Sequence, residues 1–69
     1  MITTAFIEEL LLESAQRERR AAVLERIGGE ASAAIAKAAR ETAQEQREAA
    51  CDLMMREWIL ILEARGRAA

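Results

Sequence analysis

Between Glu30 and Arg65 the chain contains neither Gly nor Pro, and so nothing that interrupts a helix. Ala, Leu, Glu, Arg and Gln, all good helix formers, dominate the composition, so the segment is expected to fold as one long helix. Its last third is also its most apolar part: Leu53, Met54, Met55, Arg56, Glu57, Trp58, Ile59, Leu60, Ile61, Leu62. A long helix ending in so much apolar surface needs something to cover it.

The rest of the chain supplies one further helix. Thr3 or Thr4 can cap it, and Glu8 and Glu9 then favour its positive dipole end. The pattern continues to about Ile27, where Gly28-Gly29 provides the left-handed conformation of a helix C-terminus. A two-residue connection returns the chain antiparallel. Gly66 is expected to end the second helix near Arg65. The fold class is therefore all-α. A single domain over 1–69 forms an antiparallel two-helix hairpin, with helix 1 at about 4–27, the turn at 28–29 and helix 2 at about 30–65. At 1.5 Å per residue the helices would measure about 36 Å and 54 Å. Residues past about Leu53 would lie beyond the reach of helix 1.

With 69 residues the chain can bury only about 60% of its unfolded surface. Small scaffolds usually add disulfides, a metal or oligomerisation. Cys51 is the only cysteine and there is no His. Oligomerisation is what remains, and a homodimer closing a four-helix bundle is the expected assembly. The interface should hold Leu53, Met54, Met55, Trp58, Ile59, Ile61 and Leu62 of helix 2 with Phe6 and Leu10 of helix 1.

Two stripes on helix 2 compete for helix 1. One is Ala31, Ile35, Ala38, Thr42, Ala49, Leu53, Leu60; the other is Ala36, Ala43, Ala50, Met54, Trp58, Ile61. The first is expected to face helix 1, at least over its first half, leaving the second for another chain. The middle of helix 1, Gln16 to Arg20, is polar, as is the facing stretch from Arg40 to Glu48. A polar layer should pair Arg17 or Arg20 with Glu41 or Glu45, fixing register more than adding stability.

No catalytic constellation emerges. Cys51 has no His to activate it and reads as a small buried residue between Ala49, Ala50 and Leu53. Glu41, Glu45 and Glu48 lack the Glu-x-x-His pattern of di-iron bundles, and pairs such as Glu13 with Arg17 and Asp52 with Arg56 read as solvated charge pairs. The chain is accordingly read as a non-enzyme with no catalytic, cofactor-binding or metal-ligating residues, no cofactor and no small-molecule substrate.

Arg17, Arg19, Arg20 and Arg26 form the one basic cluster, but the net charge is −2. In inferred architecture alone the hairpin resembles plasmid copy-control regulators of the Rop type, which implies RNA binding as one alternative. The other alternative is an adaptor, chaperone or regulator that grips a partner's helix with the apolar end of helix 2. The polar side of that end is mixed in sign, which disfavours a membrane-surface role. The N-terminus lacks a basic start, no apolar run approaches about 18 residues, and one unpaired thiol suits a reducing compartment. The expected location is cytoplasmic. Richness in Ala, Glu, Arg and Leu fits a high-GC bacterial or phage gene as well as a designed bundle.

Overall fold

The computed structural model describes residues 2–68, with side-chain environments over 4–67. Helix α1 spans Ile2–Ile27 and α2 spans Glu30–Ala68. They pack against each other as a hairpin drawn out into a rod of 60 × 15 × 13 Å. The long axis matches α2 itself, whose 39 residues amount to about 58 Å of helix. Helix α1 has 26 residues, so α2 extends about 20 Å beyond it.

The turn follows from its two glycines. Both have positive φ, 83° at Gly28 and 89° at Gly29. The Gly28 N–H donates to the Leu24 carbonyl at 3.2 Å, closing α1. The Gly29 carbonyl accepts from Ala33 N–H at 3.0 Å and so opens α2. Arg26 at the end of α1 and Glu30 at the start of α2 each match the local dipole.

Both helices outrun their expected limits. Because α1 begins at Ile2, Thr4 lies inside its first turn and Glu8 and Glu9 lie beyond that turn, which holds no acid. The capping role of Thr3 falls outside the described side chains. Gly66 does not end α2; it stays helical, since Gly costs only about 1 kcal/mol against Ala and no Pro follows to enforce a stop.

The hairpin seam is made of small residues. On α2 it runs Ser32, Ala36, Ala39, Ala43, Gln46, Ala50, Leu53, Glu57, and on α1 Ile7, Leu10, Ser14, Arg17, Ala21, Leu24. All are buried or half-buried, at alternating steps of three and four. Ala21, Ala43 and Ala50 are fully enclosed, and among the described residues Ile7 is the one large side chain buried with them. Along the overlap with α1 this reverses the expected choice of stripe, except that Thr42 and Leu53 of the expected stripe are half-buried. Ala36, Ala43 and Ala50 face α1, whereas Ala31, Ile35, Ala38, Ala49 and Leu60 are exposed. A methyl at every seventh position lets two backbones approach closely along their whole overlap, which the bulkier stripe would prevent.

Candidate interaction surface

The polar mid-layer exists with different partners from those expected. Arg47 Nη1 donates to Glu18 Oε1 at 2.7 Å, Arg40 donates to Glu25, and Gln46 Nε2 donates to Glu13 Oε2 at 2.9 Å. Glu41, Glu45 and Arg20 remain exposed, while Arg17 turns into the seam. The reason is the lean of helical side chains towards their own N-terminus. From α2 they lean towards the turn and from α1 away from it. Pairs therefore join residues whose backbones are offset along the rod, as Glu18 and Arg47 are. The Arg47 hydrogen bond holds the Glu18 carboxyl below the ordinary range, and Glu25 raises Arg40 above its own. Inside the layer Ser14 is buried and its hydroxyl donates to the Leu11 carbonyl at 2.8 Å. Arg17 Nε and Gln46 Oε1 are enclosed without protein partners.

The two ion pairs define one flank of the hairpin. Glu25 with Arg40 and Glu18 with Arg47 lie one heptad apart on each helix. The next step away from the turn brings Leu11 and Met54 to the same positions, and the following one Thr4 and Ile61. Trp58 stands beside this row, four residues from Met54 and three from Ile61, so it shares their side of α2. On the opposite flank the open end is interrupted by charge. Phe6 and Ile59 sit there among Glu13, the Arg56–Asp52 pair at 3.1 Å and the Arg67–Glu63 pair at 3.7 Å.

Of the nine predicted interface residues, Leu10 and Leu53 are half-buried in the hairpin's own seam. Met54, Trp58 and Ile61 share the first flank, Met55 and Leu62 lie at its outer edge, and Phe6 and Ile59 lie on the other flank. Beyond Leu53, every residue from Met54 to Arg67 is exposed except Glu57, which is half-buried. Trp58 is 53% exposed. Sequence reasoning omitted Leu11 and Leu12, both exposed; Leu11 could have been found by stepping seven residues from Glu18.

Cys51 is exposed, not buried. Its neighbour Ala50 occupies the seam, and one residue further turns the side chain about 100° away. The arginines do not gather on one face: Arg17 enters the seam, while Arg19 and Arg20 are exposed around Val23 and Leu24. An open hollow of about 600 Å³ near the turn is lined by charges of both signs, including Glu25, Lys37, Arg40 and Glu45. Among the described residues no group of three His, Cys, Asp or Glu could hold a metal ion, and no helix is long and apolar enough to cross a membrane. No family model matches the chain, and neither the curated proteins nor the solved structures include a match to it.

Proposed function

We propose that the chain is a non-catalytic, self-assembling module whose hairpins pair into a helical bundle, most simply a dimeric four-helix bundle. One observation carries this reading. The hairpin keeps alanines inside and leaves its large apolar side chains, Trp58, Met54, Met55, Leu60 and Leu62 among them, in water. Alanine burial supplies little hydrophobic free energy at about 25 cal/mol per Å². A second layer of helices would supply what the hairpin lacks. An unpaired surface thiol accords with a reducing compartment, so we assign the assembly to the cytoplasm.

Sedimentation of the purified chain at micromolar concentration tests this. A single cooperative oligomer is the expected result; a monodisperse, cooperatively folded monomer contradicts it. A second reading rests on the stretch of α2 beyond α1, where a helix of another protein could lie along the exposed side chains. Under that reading the chain alone stays monomeric or partly unfolded and becomes ordered when the partner is added.

A further inference from the structure

Self-assembly leaves open which surface meets which. Resting on that reading's self-assembly, with three helices in place of a four-helix cross-section, we infer that a second copy of this chain covers the flank bearing Leu11, Met54, Trp58 and Ile61, packed antiparallel about a two-fold axis close to Trp58, in the stretch of α2 beyond α1.

Three observations select this flank and this orientation. The first is continuity. Moving away from the turn, the row that begins as Glu25–Arg40 and Glu18–Arg47 becomes apolar at Leu11 and Met54 and stays apolar to Ile61. On the opposite flank, Phe6 and Ile59 are separated by Arg56, Asp52 and Glu13, which already hold partners within the chain. Covering that side would strip water from those charges at little apolar gain.

The second observation is area. Leu11, Met54, Met55, Trp58 and Ile61 are each 39–59% exposed. With Leu62 they present on the order of 600 Å² of apolar surface per chain, approaching the ~800 Å² per partner of a standard stable interface.

The third is charge. Arg65 lies seven residues beyond Trp58 on the same side of α2. In a parallel pair it would face its own copy. In an antiparallel pair centred near Trp58 it comes level with Cys51 of the other chain, within one turn of the exposed Glu48. The patch is also off-centre on the rod. An antiparallel pair thus overlaps at the open ends and projects its two turns outward, to about 85 Å in length, whereas a parallel pair keeps about 60 Å.

Sedimentation and solution X-ray scattering of the full chain, alongside Trp58→Glu and Phe6→Glu, test the inference. The expected result is a dimer about 85 Å long. Trp58→Glu should weaken it about thirty-fold or more, and Phe6→Glu less than about five-fold. A dimer of about 60 Å, an assembly larger than a dimer, or one broken by Phe6→Glu and not by Trp58→Glu overturns the proposal and leaves self-assembly standing. A folded monomer overturns both. Should Trp58→Glu unfold the chain, the unmodified protein gives a second measure. Cys51 borders the covered flank, so its maleimide labelling should slow as concentration rises into the dimer range. An unchanged rate across dimerisation counts against this flank.

Discussion

Gly28 and Gly29 have positive φ and Gly66 does not, and that difference reverses the effect of adding a methyl group. A Cβ at Gly28, Gly29 or Gly66 would meet nothing within 4 Å. Steric crowding thus drops out and backbone conformation alone decides. Gly28→Ala at φ 83° should cost about 1–2 kcal/mol. Gly66→Ala, inside regular helix, should be neutral or stabilise the chain by up to about 1 kcal/mol. Urea melts of the two variants check the opposite signs. Ionisation gives a second residue-scale prediction. The folded state depresses the Glu18 carboxyl, so its contribution is present above the ordinary glutamate range and is lost as pH falls through the depressed value. Arg40 is raised from an already high value, so its pairing does not titrate near neutrality. Glu18→Gln should therefore flatten the acid limb of the stability curve and leave its slope near pH 7 unchanged. The change should be small, because both partners of the pair are more than a third exposed. The turn at Gly28-Gly29 was legible in the sequence because positive φ has a direct residue signature. The exposure of Cys51 was not, because neighbours in sequence point to different sides of a helix.

At the scale of the helix, alanine at every seventh position decides how α1 and α2 meet. Ala43 is fully enclosed and Ala49 is exposed. Ala43→Leu should force the helices apart and lower stability by about 1–3 kcal/mol. Ala49→Leu should change it by less than about 0.5 kcal/mol. Thermal melts followed by circular dichroism distinguish the two. Both helices, their order and the mismatch in length were legible from breaker residues alone. The choice of stripe was misjudged because hydrophobicity ranks Ile35 and Leu60 above Ala36 and Ala43, whereas close helix packing ranks residues by how little they intrude. The polar pairings were misjudged because counting from the turn locates backbones and ignores the lean that brings Arg47 to Glu18.

For the whole molecule, the central claim is that the apolar surface left outside the hairpin is the surface that assembles. The position of that surface past the end of α1 was legible from helix lengths. Its division into two unequal flanks depends on charge pairings that only the folded chain displays. Trp58, the only tryptophan, reports on it directly. In the isolated hairpin its side chain is about half in water. If a second chain covers it, emission at high concentration should be that of a buried indole. It should move to the red on dilution, in step with the loss of mass and of helix content, because assembly and folding of so small a domain are linked. Emission of a water-exposed indole at every concentration, with helix content unchanged on dilution, would contradict the claim.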